Sequence, residues 1–228
     1  MAEPGCSLAV VFDWDGTVFD SDFLIDLAIE RVLEQHAPSE LERLQPSFYL
    51  SRRPVSPLKM LRLPSTGREA TIQAIAEELR TLEKRAAPFN GAQALIGHLR
   101  QLGIPLAILT RRDRASLTAQ LRRCALEQAF TSIVCRGETQ PKPDPAGLHL
   151  IRQQLQAERL ILIGNSMDDM HCARQADTDF IAVRLCSRVR DEPFDSVDCN
   201  VLNNYKAVHD ALVQTLHSTP SVISSTQS

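Results

Sequence analysis

Two aspartates, Asp13 and Asp15, stand one residue apart near the amino terminus and are followed directly by Gly16. In an extended segment alternate side chains point to the same side, so both carboxylates can face one site. The glycine lets the backbone turn sharply after them. Two carboxylates this close repel each other unless a cation or a shared proton lies between them. The pair therefore predicts a bound divalent metal, or one acid beside one anion; a turn with two solvated aspartates is the alternative.

Other polar residues stand just after apolar runs that are typical of buried strands. Strand one is predicted over Leu8 to Phe12, strand two over Pro105 to Leu109 and strand four over Leu160 to Ile163. In an open α/β sheet the chemistry lies beyond the carboxyl ends of the strands, and right-handed crossovers bring these three ends together. We therefore expect one site to hold the side chains Asp13, Asp15, Thr110, Asn165 and Asp169, with Lys142 from a nearby loop.

From Asn90 onward predicted helices and strands alternate, which indicates a mainly parallel α/β sheet covered by helices on both faces. Asn90 is predicted to cap a helix with Gln93 at the capping-box position, and the apolar stripe of that helix runs to Leu102. Further strands are predicted over 131–135 and 180–185, with a short edge strand over 197–201.

No strand is predicted between Asp20 and Ala87, where repeated prolines leave short helical pieces between two longer helices. We expect residues 20–87 to form a helical cap over the site, while 1–19 and 88–217 form the core. An ordinary helical pair packed on the sheet is the alternative. The Ser/Thr-rich segment 218–228 is predicted to be disordered. The second long helix, 68–85, has a predicted buried stripe of Ile72, Ile75, Ala76, Leu79 and Leu82.

The composition is that of a soluble globular protein, with 43% hydrophobic and 23% charged residues. A formal net charge of -3 gives no reason to expect nucleic acid or an acidic membrane as a partner. No run is long enough to span a membrane, and the first seven residues lack the basic start of a signal peptide. The six cysteines form no CxxC pair, so reduced thiols and a cytoplasmic location are expected. The loop after strand one lacks GxGxxG, which argues against a nucleotide-cofactor oxidoreductase.

The expected constellation suits phosphoryl transfer, which depends mainly on positioning and on charge stabilisation. Asp13 could attack phosphorus as a nucleophile, and Asp15 could protonate the leaving oxygen and then deprotonate water. Thr110 offers a hydroxyl to a phosphoryl oxygen, and Lys142 supplies a positive charge. A divalent cation, Mg²⁺ above all, would offset the repulsion between carboxylate and phosphate.

Four segments in order resemble the motifs of the haloacid dehalogenase-like superfamily of phosphohydrolases. They are the Asp13 to Thr17 segment, matching DxDGT, Thr110 after a buried strand, Lys142 in a PKP context, and Gly164 to Asp169, which aligns with GDSxxD. The resemblance implies a Rossmann-like core and an aspartyl-phosphate intermediate. It also implies Mg²⁺ bound by Asp13, the backbone carbonyl of Asp15 and the fourth motif. A helical cap after strand one is similar to that of the phosphoglycolate phosphatase-like branch.

One departure from the motifs concerns Asn165, which stands where the superfamily usually has aspartate. An amide oxygen can ligate Mg²⁺, but the site loses one negative charge, so we expect weaker metal affinity with Asp169 and Asp168 near the ion. Arg111, Arg112 and Arg114 could contact an anionic substrate, and Arg111 is predicted to bind the phosphate; a solvated basic helix start is at least an equal interpretation for all three.

The predicted function is a Mg²⁺-dependent phosphatase that hydrolyses a small phosphorylated metabolite, as a monomer or a homodimer. Asp15 favours a phosphate ester, because an alcohol leaving group needs a proton. A phosphomutase, which would return the phosphoryl group from Asp13 to the substrate, is one alternative. A catalytically weak ligand-binding or regulatory protein of the same fold is the other, and Asn165 is the reason to consider it.

Overall fold

A six-stranded sheet organises the protein, and each pair of neighbouring strands within it is parallel. The structure is a computed structural model that describes residues 8–21, 23–49, 57–188, 194 and 199–217. The strands are β1 (Leu8–Phe12), β2 (Leu106–Leu109), β3 (Ser132–Val134), β4 (Arg159–Gly164), β5 (Asp179–Val183) and β6 (Val201–Leu202).

The strand order is β3-β2-β1-β4-β5-β6, which is the order of the Rossmann fold. Because β1 lies between β2 and β4, the carboxyl ends of these three strands meet at the centre of one sheet edge. Phe12 pairs in register with Ile108 of β2 and with Ile163 of β4. The predicted fold class, an α/β Rossmann-like core, is therefore confirmed.

Helices cover both faces of this sheet, because alternate residues of its strands enter two separate apolar cores. The helices that follow residue 87 are α5 (Ala92–Gln101), α6 (Arg114–Arg123), α7 (Ala146–Leu155), α8 (Met167–Gln175) and α9 (Tyr205–His217). Val10 and Phe12 lie in the core shared with α5, α6 and α9, whereas Ala9 and Val11 lie in the core shared with α7 and α8.

The chain between β1 and α5 forms helices that pack around a third core of their own, including Ile29, Leu33, Phe48 and Ile75. They are α1 (Leu24–His36), α2 (Pro38–Leu44), α3 (Pro57–Met60) and α4 (Arg68–Arg85).

The two ends of this helical segment lie side by side. The Asp20 N–H donates to the Ala87 carbonyl (3.0 Å), and the Phe89 N–H donates to the Val18 carbonyl (2.9 Å). A segment that leaves and returns at one place can form a unit beside the sheet. The division at residues 20 and 87 stays a prediction.

The prediction that the Asn90 side chain caps the start of helix α5 is wrong. Helix α5 follows Gly91, whose φ of 89° is left-handed, and no side chain caps the helix. A Cβ at Gly91 would lie 2.8 Å from Cβ of Tyr205, so glycine is also required for space. Gln93 instead donates to the carbonyl of Cys124 (2.9 Å). Leu102, predicted to be buried, follows the last turn of α5 and is 54% exposed.

The predicted stripe of α4 is partly wrong. Ile75 and Leu82 are buried, but Ile72 and Ala76 face solvent. Helix α4 packs on α1 with a face that also carries Glu78, which pairs with Arg31 of α1 at 2.7 Å. The face of α4 that meets α1 is thus centred on Ile75 and Leu82, toward Glu78 and away from Ile72.

The predicted edge strand (197–201) overlaps the observed one at a single residue, since 199 and 200 are not in a strand and β6 runs from Val201 to Leu202. Residues 197 and 198 and the predicted disordered tail (218–228) lie outside the described residues. Among the residues that the structure describes, no helix is both long and apolar enough to cross a bilayer.

Candidate active site

All the residues predicted to act in the site line one cavity of about 870 Å³ at the carboxyl edge of the sheet. They come from the end of β1, the end of β2, the loop before α7, and the turn between β4 and α8. The structure therefore brings together Asp13, Asp15, Thr110, Arg111, Lys142, Asn165, Asp168 and Asp169.

Backbone hydrogen bonds of the sheet fix the two residues that follow the central strands. The Asp13 N–H donates to the Ile163 carbonyl (2.9 Å), so the ladder between β1 and β4 continues for one residue past β1. The Thr110 N–H donates to the Val134 carbonyl (3.0 Å) in the same way. The backbones of Asp13 and Thr110 are thus held by the hydrogen bonds of the sheet.

Asp13, Lys142 and Asp169 form a buried group that we call the inner cluster. Lys142 Nζ donates to Asp13 Oδ1 (2.6 Å) and to the carbonyl of Leu109 (3.1 Å), and it lies 2.5 Å from Asp169 Oδ1. The three side chains are 9% exposed or less. One ammonium group is therefore shared by two carboxylates inside the protein, a placement that is stable only while the charges remain paired.

Burial and charge act in opposite directions on the inner cluster. Burial raises the pKa of the Asp13 carboxyl, Lys142 lowers it, and the neighbouring charge of Asp169 raises it further. Burial opposes the charge of Lys142, but Asp13 and Asp169 raise its pKa above the ordinary value for lysine. Lys142 is thus held as a cation at neutral pH, next to a carboxylate that needs positive charge around it.

Asp169 is fixed by the start of α8 as well as by Lys142. Its Oδ2 accepts from the backbone N–H (3.0 Å) and the hydroxyl (2.5 Å) of Ser166, while the Ser166 hydroxyl accepts from the Asp169 N–H, which makes a capping box. A Cβ at Gly164 would lie 2.6 Å from Cβ of Asp169, so glycine is needed where β4 ends.

The donor set beside Asp13 suits a hard cation such as Mg²⁺. The Thr17 hydroxyl donates to Asp13 Oδ2 (3.3 Å) and lies 3.4 Å from Asn165 Oδ1, so a carboxylate oxygen and an amide oxygen, both ligand types that Mg²⁺ accepts, lie on either side of one hydroxyl. No group of three or more His, Cys, Asp or Glu side chains able to hold a metal occurs among the described residues. A metal here would thus need amide and backbone oxygens as well as carboxylates.

Asp15, Arg112 and Glu83 form a second group, the outer cluster, at the wall of the cavity. Arg112 Nε lies 3.1 Å from both oxygens of Asp15, and its Nη2 donates to Oδ1 (2.5 Å). Its Nη1 donates to Glu83 Oε1 (3.0 Å), and Glu83 belongs to α4. The Ser21 hydroxyl also donates to Asp15. One arginine thus joins the predicted acid and base residue to the helical segment.

Arg111 lies at the cavity but is already paired. Its Nη2 donates to the backbone carbonyl of Lys142 (2.6 Å) and to the carboxylate of Asp168. Both of these contacts use Nη2, so a phosphate group could be bound by the other guanidinium nitrogens while Asp168 competes for the charge. Thr110, in contrast, keeps its hydroxyl in the cavity, where it accepts from the Arg112 N–H (3.1 Å).

Sequence reasoning missed the pairing of Arg112, for which a solvated helix start was an equal interpretation. It also assigned no role to Glu83, Thr17 or Ser21. The position of Arg112, two residues after a strand-end threonine, was a usable signal for the site. Nothing in the local pattern identified Glu83, because its partner lies 29 residues away in the chain.

The arrangement places a buried carboxylate, a second carboxylate at the cavity wall, a buried ammonium and a hydroxyl in one cavity, a set of groups that suits phosphoryl transfer. The cavity lining holds six carboxylates, from Asp13, Asp15, Glu83, Asp113, Asp168 and Asp169, but four cationic side chains, from Arg111, Arg112, Arg136 and Lys142. An anionic substrate would therefore be favoured by further positive charge, which a divalent cation supplies.

Comparisons with known proteins agree with this geometry. The family model for haloacid dehalogenase-like hydrolases matches residues 10–183. Phosphoglycolate phosphatase of Yersinia pestis is 27% identical over 179 residues, 73% of this chain and 76% of that protein. Phosphoglycolate phosphatase of Cereibacter sphaeroides is 29% identical over 181 residues, 75% of this chain and 82% of that protein.

Solved structures share the fold. A HAD family hydrolase from Deinococcus radiodurans R1, with bound phosphate and sodium, matches with a TM-score of 0.74 and 20% identity, over 93% of this chain and 97% of that one. The comparisons confirm the predicted family and the predicted class of enzyme, a phosphatase. On the match over residues 10–183, the chain belongs to the haloacid dehalogenase-like hydrolase family.

Proposed function

We propose that this protein is a Mg²⁺-dependent phosphatase that hydrolyses a small phosphate monoester through an aspartyl-phosphate on Asp13. The observation that carries the proposal is the inner cluster, in which Asp13 is held against the ammonium of Lys142 in the cavity that also holds Asp15 and Thr110. A buried carboxylate next to a fixed cation is preorganised for attack on a phosphoryl group.

In the first step an oxygen of Asp13 attacks phosphorus. Lys142 donates to Asp13 Oδ1, whereas Asp13 Oδ2 accepts from the Thr17 hydroxyl at the longer distance of 3.3 Å. The new bond joins the Asp13 carboxylate to phosphorus, and the bond from phosphorus to the substrate oxygen breaks. Asp15 gives its proton to that oxygen, so an alcohol leaves.

In the second step water attacks the same phosphorus and Asp15 takes a proton from that water. The bond between phosphorus and Asp13 breaks, which releases inorganic phosphate and restores the carboxylate. The Thr110 hydroxyl and the Lys142 ammonium lie in the cavity to receive phosphoryl oxygens in both steps. Arg111, which also lines the cavity, would join them.

Mg²⁺ would be held by Asp13, the backbone carbonyl of Asp15 and the amide oxygen of Asn165, with Asp169 close by. When bound, it supplies the positive charge that offsets the repulsion between Asp13 and a phosphate dianion. The assignment is supported by the Asp13 carboxylate oxygen and the Asn165 amide oxygen, which both lie within 3.4 Å of the Thr17 hydroxyl.

We further propose that residues 20–87 form a cap that selects the substrate. Leu24 and Ile25 of α1 and Leu79 and Glu83 of α4 line the same cavity as the catalytic residues. A volume of about 870 Å³ suits a small metabolite. Cys124, Cys135 and Cys172 form no disulfide among the described residues, which supports a reducing, cytoplasmic setting.

The test is release of phosphate from p-nitrophenyl phosphate and from a panel of phosphorylated metabolites that includes phosphoglycolate, with and without Mg²⁺. We expect Mg²⁺-dependent hydrolysis that Asp13→Asn abolishes. Isomerised sugar phosphate without released phosphate would indicate a phosphomutase. No turnover of any ester at any Mg²⁺ concentration would contradict the proposal and favour a ligand-binding role.

A further inference from the structure

We propose that Arg112 is a positioning residue for Asp15 and that Glu83 of α4 orients Arg112 for this task. The inference rests on the proposed function of Asp15 as the acid that protonates the leaving group. It adds a residue that acts through Asp15 and a reason why the helical segment affects the chemistry of the core.

The contact between Arg112 and Asp15 is a two-pronged pair that fixes direction as well as distance. Nε lies 3.1 Å from each oxygen of Asp15, and Nη2 lies 2.5 Å from Oδ1. A planar guanidinium bound in this way holds the plane of the carboxylate, which a single point charge would not do. The side chain of Asp15 is 26% exposed, so the surrounding apolar packing alone does not hold it.

Arg112 is itself held from three sides. Its Nη1 donates to Glu83 Oε1 (3.0 Å) and to the hydroxyl of Ser116 (2.7 Å), and its backbone N–H donates to Thr110 (3.1 Å). The side chain is 12% exposed. Because each of its three guanidinium nitrogens already donates to the protein, the geometry favours a role in orienting Asp15 over direct binding of phosphate.

The contact with Glu83 connects this positioning to α4. Glu83 stands on the helical segment, whereas Asp15 and Arg112 follow β1 and β2 of the sheet. Asp15 is therefore oriented by an arginine whose other side is anchored on a different part of the molecule. A change at Glu83 should therefore weaken proton transfer more for an alkyl phosphate than for p-nitrophenyl phosphate, although Glu83 also lines the cavity.

The test compares two leaving groups. Protonation matters for an alkyl phosphate, whose alcohol leaves poorly as an anion, but little for p-nitrophenyl phosphate, whose phenolate is stable. We expect Arg112→Gln to lower kcat/KM for an alkyl phosphate by about 10- to 100-fold and for p-nitrophenyl phosphate by less than about threefold. Arg112→Lys should fall between wild type and Arg112→Gln, and Glu83→Gln should show a smaller effect in the same direction.

Arg114→Gln is the matched control. Arg114 also pairs with a carboxylate, Glu138 at 2.6 Å, but on the exposed surface, so both substrates should be turned over as by wild type. In an Asp15→Asn background, Arg112→Gln should cause little further loss on the alkyl phosphate, because the two residues act as one unit.

Equal losses on both substrates, or an additive loss in the Asp15→Asn background, would overturn the role of Arg112. A wild-type protein that hydrolyses neither substrate would instead contradict the proposed function. Retained turnover of p-nitrophenyl phosphate shows that the Arg112 variants are folded, so the leaving-group comparison remains decisive.

Discussion

The inner and outer clusters have the same composition, two carboxylates around one cation, but they differ in burial and in what they connect. The Lys142 and Asp169 side chains are 5% and 1% exposed, and all three members of the inner cluster follow or face the central strands. Glu83 in the outer cluster is 32% exposed and belongs to α4. The inner cluster is thus fixed by the sheet, whereas the outer cluster joins the sheet to the helical segment.

This difference indicates that the two clusters have different roles in the proposed mechanism. The nucleophile must be held rigidly, because a small displacement from phosphorus costs rate. In the proposed mechanism Asp15 gives a proton in the first step and takes one in the second, and it is oriented at the cavity wall by Arg112, which also pairs with Glu83 of the helical segment. We therefore expect changes in the inner cluster to affect stability and activity together, and changes in the outer cluster to affect activity alone.

The largest expected effect follows from Lys142→Met, which leaves Asp13 and Asp169 without a cation. Breaking a buried pair in this way costs about 3–5 kcal/mol of unfolding free energy. We expect kcat/KM to fall by at least about 100-fold, because a charge aimed at the transferring group is lost. Denaturant unfolding and p-nitrophenyl phosphate turnover measure the two effects.

Lys206→Met is the control for Lys142→Met. Lys206 pairs with Asp210 at 2.8 Å but is 85% exposed, so the unfolding midpoint and the activity of the Lys206→Met protein should equal those of wild type. Adding Asp169→Asn to Lys142→Met should restore part of the stability, since one unpaired charge is removed. Similar losses for the two lysines would contradict the contrast in burial.

The next effect is a pH dependence of the metal-free protein. Burial raises the pKa of Asp13 to about 7, above the ordinary value of 3.8, so the folded chain retains a proton that the unfolded chain loses. The stability from this group is present below about pH 4 and is lost as the pH rises through about 7. We expect the thermal midpoint of wild type, measured in a chelator, to fall relative to that of Asp13→Asn over this window.

Mg²⁺ should reverse that loss, because a ligand that binds the folded state alone stabilises it. At neutral pH its addition should raise the midpoint of wild type more than that of Asp13→Asn. If the thermal midpoints of wild type and Asp13→Asn changed in parallel across this pH window, the pKa of Asp13 would not be raised by burial, which would contradict the prediction.

A smaller effect concerns Asn165. Asn165→Asp restores a carboxylate beside Asp13, so we expect the Mg²⁺ concentration for half-maximal activity to fall by about tenfold. Asn203→Asp, on the exposed surface, adds the same charge away from the cavity and should leave that concentration unchanged. An unchanged value for Asn165→Asp would show that this residue is not a ligand.

The smallest expected effect on stability is that of Glu83→Gln. Its ion pair with Arg112 is partly exposed, so the loss should stay below about 1 kcal/mol in a denaturant titration. A loss as large as that of Lys142→Met would erase the distinction between the two clusters.

The features predicted correctly from the sequence are those that depend on residues close together in the chain. An apolar run such as Leu8 to Phe12 has few alternatives to a buried strand, and the residues that follow three such runs meet wherever the sheet is parallel. The helix start at residue 90 failed because a left-handed glycine, Gly91, replaced a side-chain cap. Glycine is required at position 91 because a side chain there would collide with Tyr205, which is more than a hundred residues further along the chain.

The pairing of charges was not predictable in the same way. Arg111 and Arg112 are adjacent and chemically identical, yet one pairs with Asp168 and the other with Asp15 and Glu83. Their partners lie 29 to 97 residues away in the chain. Local patterns contain no information about such contacts, which depend on how α4 and α8 pack around the finished cavity.

The central claim is that Asp13 carries a phosphoryl group during turnover, and Asp15→Asn offers the most direct test. With p-nitrophenyl phosphate the first step needs no acid, but the second lacks its base, so the intermediate should accumulate. Rapid mixing followed by acid quenching should show a burst of about one nitrophenol per chain. Peptide mass analysis should then place one phosphoryl group on Asp13. The absence of both the burst and the modification, or a phosphoryl group on another residue, would contradict the account.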